Sequence, residues 1–354
     1  MSPAAAAGHR AGMDLKLAVE QLFRPAARPG RVGAEVELIP VTDDDRSSPV
    51  RPQILRAGFN RDFVRDAVPT FEPGGQLELS PSPRPTAEAL IRDLRGLIAR
   101  TRRIAHDRGV RLVSVGTNPY HSCTDIALCT PTRRYLAMQE MFDRMGPDGR
   151  RMMRLTASLQ VTVDLLPGPA GREQWLVANL AGPPLAAAFA NSPCLDGRPA
   201  GIDGARTRIW QGVDLRRTGY DGRHLDPIDP IGAYHAFAAA AARLPIPEAA
   251  DPTYHLSTLF PPVRPRGGYL ELRFLDAQPD ERMGEAISTV AWLLYDPRAR
   301  GDALDLLLPR LTDLPRAWDE AAMGDSPQAT DLLHIVSATV QNRRHATVLS
   351  GALS

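Results

Sequence analysis

Nowhere does the chain reach the ~20 consecutive apolar residues needed to span a bilayer, and its 354 residues include only three cysteines. The first absence points to a soluble protein with no membrane partner. The second limits thiol chemistry: Cys123, Cys129 and Cys194 form no CxxC pair and have no His-rich tract beside them, so a thiolate metal site is not expected. Reduced thiols in a cytoplasmic protein are the main reading, with a Cys123–Cys129 redox pair as the lesser one. Charge of one sign is also missing. With 42 Lys+Arg against 41 Asp+Glu there is no global basic field, and a nucleic-acid partner is not expected. The alanine run within Met1–Arg10 is too short and too weakly apolar for a signal-peptide core, so residues 1–12 read as a disordered leader and 13–354 as one domain. No internal repeat of about 20–50 residues is found. The 33 prolines and 28 glycines fall mostly in short connections such as Leu166–Pro169 and Phe260–Pro265.

What the chain does have is a set of alternating segments that carry carboxylates. Glu35 and Glu37 lie in Arg31-Val-Gly-Ala-Glu-Val-Glu-Leu-Ile39, Glu78 in Gly75-Gln-Leu-Glu-Leu-Ser80, and Glu271 with Arg273 in Tyr269-Leu-Glu-Leu-Arg-Phe274. Polar faces of alternating strands normally meet water. Glu is, however, a poor strand former, and its recurrence in strand interiors suggests a different use. Hard cations require oxygen ligands, and nucleotide phosphates require the cations. The spacing between Glu72 and Glu78 also matters, because an unbroken strand would hold the two carboxylates ~20 Å apart. Pro73-Gly74-Gly75 can fold the second back toward the first, since glycine tolerates the necessary backbone angles.

Helices are expected over Asp14–Phe23, over Pro85–His106 with Thr86 as cap, and over Pro131–Met145. In the last of these, the stripe Tyr135, Met138, Met141, Phe142 and Met145 reads as core packing. Arg92, Arg95, Arg100, Arg102 and Arg103 read as a solvated helix face. Residues 42–50 read as an acidic loop, and Val110–Val115 as a buried strand leading to a loop whose His121 is incidental. Arg154–Asp164 alternates along its whole length, with Thr156, Ser158, Gln160, Thr162 and Asp164 on one face. Helices over Arg172–Leu180 and Pro184–Ala190, a long loop to 229, a helix over Asp229–Leu244, a strand at 268–276 and broken helices from Glu281 complete the reading. The expected class is α+β, with a mostly antiparallel or mixed sheet, one face polar and helices on the other.

An ordered set of segments resembles the glutamate–cysteine ligases of the plant and actinobacterial type: Gly33-Ala-Glu-Val-Glu37, Glu72-Pro-Gly-Gly-Gln-Leu-Glu-Leu-Ser80, Arg134-Tyr135 with Met138, Thr156-Ala-Ser-Leu-Gln-Val161, Ala190-Asn-Ser-Pro193 and Arg208-Ile-Trp210. The block His255–Pro279 is most similar to the branch associated with ergothioneine biosynthesis. The resemblance implies a glutamine-synthetase-like catalytic fold with a curved, mostly antiparallel sheet and a polar concave face. It implies that glutamate's γ-carboxylate attacks ATP and that the resulting γ-glutamyl phosphate is captured by the amine of cysteine. ATP and Mg2+ are the implied cofactors, and glutamate, cysteine or another amine, and ATP the small-molecule partners.

Carried onto this chain, the resemblance makes Glu35, Glu37, Glu72, Glu78 and Glu271 metal-ligand candidates, Glu78 and Arg273 catalytic, and Arg273 and Gln160 neighbours of the nucleotide or metal. Phosphoryl transfer asks mainly for positioning and charge neutralisation, and a guanidinium fork suits phosphate. Arg208 and Trp210 are substrate-binding candidates, against the plainer readings of a surface ion pair and a half-buried loop anchor. Relatives of this type continue in further helical sequence, so a shortened C-terminal helical part is expected from about 281 of the 354 residues. Ser80-Pro-Ser-Pro-Arg-Pro85 stiffens the exit from the Glu78 strand. Two other functions stay open: the same acyl-phosphate chemistry with a different acceptor or donor, and a non-catalytic nucleotide-binding relative.

Overall fold

The computed structural model describes residues 14–42, 48–59 and 67–351. The expected leader at 1–12 and the acidic part of the 42–50 loop lie outside them. In chain order the elements are α1 (14–22), β1 (Val32–Thr42), α2 (Pro52–Arg56), β2 (Thr70–Phe71), β3 (Leu77–Leu79), α3 (Ala87–His106), β4 (Val110–Val113), α4 (Arg133–Asp143), α5 (Asp148–Leu155) and β5 (Ser158–Asp164). There follow α6 (Gly168–Leu180), α7 (Gly182–Ala188), β6 (Cys194–Leu195), β7 (Arg198–Pro199), α8 (Ala205–Gly212), α9 (Leu215–Thr218), α10 (Pro230–Ala240) and α11 (Pro252–Ser257). β8 (Val263–Pro265), β9 (Tyr269–Asp276), α12 (Asp280–Tyr295), α13 (Pro297–Leu307), α14 (Leu314–Ala322) and α15 (Ala329–Gly351) complete the chain.

The main sheet runs β2-β3-β1-β5-β9-β8, with β4 also on β1, and every pairing is antiparallel. This is the expected α+β architecture. Alternation decides the two faces of β1. Val32, Ala34, Val36 and Leu38 enter the main core, while Gly33, Glu35 and Glu37 face the other way. Beyond Glu37 that second face becomes apolar: Ile39 and Val41 pack with Ala157 and Ala277 in a separate cluster that seals one end of the polar face. On the core side α3 packs on β1, α12 on β5 and α7 on β9. One apolar cluster runs from Leu15 and Val19 to Leu332 and Val336.

Register then lines up the polar residues. Glu37 lies opposite Glu78, Glu35 opposite Gln160, and Glu271 opposite both Thr162 and Arg264. Between Leu159 and Val161 the β5–β9 register shifts, so Arg273 and Phe274 together face Gln160. Such a bulge re-aims a side chain at the place where it occurs.

Several boundaries differ from the sequence reading. The strand expected from Arg154 begins only at Ser158, because α5 occupies Asp148–Leu155 and buries Met152, Met153, Arg154 and Leu155. Packing on several sides of a short helix overrides the period-2 pattern there. The long loop expected before 229 contains the β6–β7 hairpin, α8 and α9. Phe260–Pro265, expected as mere punctuation, ends in β8, an edge strand where Pro265 costs no ladder bond. Nor is the arginine face of α3 wholly solvated: Arg102 pairs with Asp280 at 2.8 Å and Arg95 donates to the Asp280 carbonyl, tying α3 to α12. Among the described residues no helix is long and apolar enough to cross a membrane.

Candidate active site

The polar sheet face forms the floor of a cavity of about 230 Å³. Its walls are completed by Tyr135 and Met138 on α4, Met152 and Met153 on α5, Arg206 and Trp210 on α8, and Phe260. Helices therefore close over the polar face as well as packing behind the sheet.

At one side of the floor β2 and β3 make a hairpin, with Thr70 opposite Glu78. Its turn is closed by Glu72 N–H donating to the Gln76 carbonyl at 2.9 Å and by Gly75 N–H donating to the Glu72 carbonyl at 2.8 Å. Two glycines are required. Gly75 has φ +90°, and a Cβ on Gly74 would lie 2.3 Å from the Arg154 carbonyl oxygen. Gly74→Ala should therefore cost about 1–3 kcal/mol in urea denaturation, because backbone, not a movable side chain, occupies the space.

The turn brings carboxylate oxygens of Glu37, Glu72 and Glu78 within 4.8 Å of one another. Glu37 accepts hydrogen bonds from Ser158 N–H at 2.7 Å and Gln160 Nε2 at 3.2 Å, and Glu78 accepts from Thr70 Oγ1 at 2.7 Å. Burial is the first cause of the raised proton affinity here, and repulsion between the carboxylates the second. Glu72 is pushed up to about 8, Glu35 to about 7, and Glu37 also upward. Without a counter-charge, this side of the cavity holds more negative charge than it can stabilise.

The other side has the opposite character. Arg264 grips Glu271 with two bonds, 2.9 and 3.1 Å long, Arg266 lies 3.4 Å away, and Arg273 Nη1 contacts Glu271 directly. Burial pushes the Glu271 carboxyl up, but Arg273 and Arg264 overcome it and hold the group at about 2. Arg273 Nη1 also donates to Gln160 Oε1 at 2.5 Å, so Glu37, Gln160, Arg273 and Glu271 form one connected network across β1, β5 and β9. Arg206 holds the frame behind it, donating to the Phe274 carbonyl at 3.0 Å and the Arg273 carbonyl at 2.8 Å.

Of the five carboxylates singled out in the sequence, Glu37, Glu72 and Glu78 form the trio. Glu35 lines the cavity beside them, and Glu271 is committed to arginines. Gln160, Arg273 and Trp210 border the cavity, Trp210 from a helix and not from a loop. Arg208 does not reach it: its side chain is 47 % exposed and pairs with Asp319 at 3.2 Å. Arg208→Ala should shift stability by no more than about 0.5 kcal/mol in urea denaturation, as for other exposed pairs. Tyr135 and Met138, expected as core alone, also border the cavity, as do Arg134, Arg206, Arg264 and Arg266, none of which had been singled out as site residues. The i, i+2 spacing of Arg264 and Arg266 beside Glu271 was the available signal for the last two.

A cavity with clustered carboxylates on one side and clustered guanidiniums on the other, built on an antiparallel sheet, belongs to the class of sites that handle hard cations together with anionic groups. The chain belongs to the glutamate–cysteine ligase family 2, whose family model matches residues 31–340. It is 33% identical over 332 residues to glutamate–cysteine ligase EgtA of Mycolicibacterium smegmatis, covering 83% of this chain and 75% of that protein. With the EgtA ligase of Mycobacterium tuberculosis it shares 33% identity over 320 residues, 81% of this chain and 72% of that one. The chloroplastic glutamate–cysteine ligase of Arabidopsis thaliana is 30% identical over 267 residues, 67% of this chain and 51% of the plant protein. Among solved structures, glutamate–cysteine ligase of Francisella tularensis in complex with AMP is a distant likeness, with TM-score 0.45, 13% identity and coverage of 90% of this chain and 83% of that one.

Proposed function

We propose that this cleft joins the γ-carboxylate of glutamate to the amine of cysteine, using ATP. Glutamate's carboxylate oxygen bonds to the γ-phosphorus of ATP and ADP leaves. The cysteine nitrogen then bonds to the acyl carbon, the C–O bond to phosphate breaks, and the amine proton departs, leaving γ-glutamylcysteine and inorganic phosphate. The observation that carries this reading is the division of one cleft into a carboxylate trio and an arginine group joined through Gln160.

The trio fits Mg2+. Its ligands are all oxygen, and the raised proton affinity of Glu37 and Glu72 is what a divalent cation would relieve. Glu37, Glu72 and Glu78 would hold it, with Glu35 beside them, and when bound it supplies neutralisation of phosphate charge. Arg273, supported by Arg264 and Arg266, is suited to the transferred phosphoryl group, and Glu271 orients those guanidiniums. Trp210 and Phe260, with ring centroids 5.9 Å apart, and Met138 form an apolar wall that would keep water from the acyl phosphate. Residues 13–354 would act as one catalytic unit, which the continuous core from Leu15 to Val336 supports.

Purified protein given glutamate, cysteine, ATP and Mg2+ should release phosphate and form the dipeptide, with little phosphate when either amino acid is omitted. Absence of phosphate release with every divalent metal tried would overturn the reading.

A further inference from the structure

Beside the Glu72 turn lies another, much smaller cavity of about 10 Å³, whose lining includes Gly74, Gln76, Asn118, His121, Ile126 and Arg154. His121 is only 2 % exposed, yet among the described residues neither ring nitrogen has a hydrogen-bond partner. Two neighbours share the condition: Gln76 Oε1 and Arg154 Nε are also buried and unpartnered. An unpartnered buried polar atom is costly, and three residues that border one space and leave atoms unpaired point to a common partner. The cavity's volume is about the least that holds one water, and a buried water usually makes about three hydrogen bonds.

We propose that this cavity binds a single ordered water that accepts from Arg154 Nε, donates to Gln76 Oε1 and bonds to the His121 ring, and that His121 is thereby a positioning residue for the metal-binding turn. The linkage to Glu72 is short. Gln76 borders both cavities, its carbonyl closes the turn on Glu72 N–H, and its Nε2 is fixed on the Thr156 carbonyl at 2.8 Å. The other members are held by hydrogen bonds. Arg154 is anchored on the Cys123 and Ile126 carbonyls at 3.0 and 2.9 Å, and Asn118 Oδ1 accepts from His121 N–H at 3.0 Å. Cys129 N–H adds a bond to the Pro73 carbonyl at 2.6 Å, so the 118–129 loop backs the whole turn.

This rests on the proposal that the trio holds a divalent cation, and its test is arranged so that the ligase reading can fail separately. A crystal structure of the full chain at better than about 2 Å should show one water peak between His121, Gln76 and Arg154. Mn2+ titrations followed by electron paramagnetic resonance, with no substrate present, should show His121→Leu weakened about 10–100-fold, as for groups that orient metal ligands. His121→Asn, which can still hold the water, should bind Mn2+ within a few-fold of wild type. An empty cavity in the wild-type crystal, or His121→Leu binding Mn2+ as wild type does, overturns the proposal. Should His121→Leu not fold, the wild-type density and the His121→Asn titration still decide. If the water and the Mn2+ effects are found but no dipeptide forms, only the ligase reading falls.

Discussion

Above about pH 8, where the Glu72 carboxyl ionises, Glu72→Gln should give a protein that melts at higher temperature than wild type in the absence of metal, and it should turn over about 10²–10³-fold more slowly. Both effects come from one carboxylate. Glu72 shares a pocket with Glu37 and Glu78, and burial plus their repulsion raises its carboxyl to about 8. Replacing it by an amide of the same shape removes one buried negative charge and adds a donor toward two carboxylates, which stabilises the fold. The same change removes an oxygen ligand and its charge from the place where phosphate charge must be neutralised. A loss of several kcal/mol of transition-state stabilisation corresponds to the stated range, at about 1.4 kcal/mol per factor of ten.

The pH dependence has a definite sign. Glu35 and Glu72 titrate near 7 and 8 in the folded chain against 4.5 for an ordinary glutamate, so across that interval the folded state binds more protons than the unfolded state. Their contribution to stability is full below 4.5 and is lost as pH rises through about 7 to 8. Glu271 behaves oppositely, contributing above 4.5 and losing its contribution as pH falls through about 2. Melting temperatures of metal-free wild type should therefore fall between about pH 5 and 8. Glu72→Gln should flatten that fall, and Mg2+ should flatten it in wild type but much less in the variant. A metal-free Glu72→Gln protein less stable than wild type above about pH 8 would remove the repulsion argument.

Which parts of this site could be read from the sequence follows from how far each feature depends on tertiary phase. Glu35 and Glu37 could be placed on one face because a strand has a period of two, and Glu72 could be brought to Glu78 because Pro73-Gly74-Gly75 allows a tight reversal. The trio also needs Glu37 opposite Glu78, a register set by β1–β3 pairing and not by either segment. Arg206 and Arg208 show the limit most plainly. In a stretch expected as loop, the resemblance carried by Arg208-Ile-Trp210 points to Arg208, and nothing in the sequence singles out Arg206. On a helix, residues two apart point to nearly opposite sides and residues four apart share a side. So Arg206 enters the cavity with Trp210, its guanidinium 5.9 Å from the indole ring, while Arg208 turns to Asp319 at the surface. The helix was hidden because α8 spans only Ala205–Gly212 and follows a Gly-rich approach, too short for a periodic signal. His121 was dismissed for a related reason: a loop histidine has no period, and only burial without a partner makes it informative.

Arg273→Met should lower kcat/KM for ATP by about 10²–10³-fold, the range found when a preorganised donor to developing negative charge is removed. Arg273→Lys should recover only part of the loss: in arginine Nη1 alone meets both Gln160 and Glu271, leaving the other guanidinium nitrogens to donate to a phosphoryl group, whereas one ammonium would have to serve all three. The fold should survive, since Glu271 keeps its two bonds to Arg264 and the nearby Arg266. Electrostatics gives a second readout. Arg273 is the main group lowering the proton affinity of Glu35, so its loss should move the fall in metal-free stability to higher pH. The competing role for Arg273 is to orient Glu271 alone, and Glu271→Gln separates the two. If Arg273 meets the phosphoryl group, Glu271→Gln leaves that guanidinium in the cleft, held by Gln160, and should cost far less than Arg273→Met in kcat/KM for ATP. Equal losses in the two variants would make Arg273 a scaffold for Glu271, and the phosphoryl contact would pass to Arg264 and Arg266, whose side chains border the same cavity.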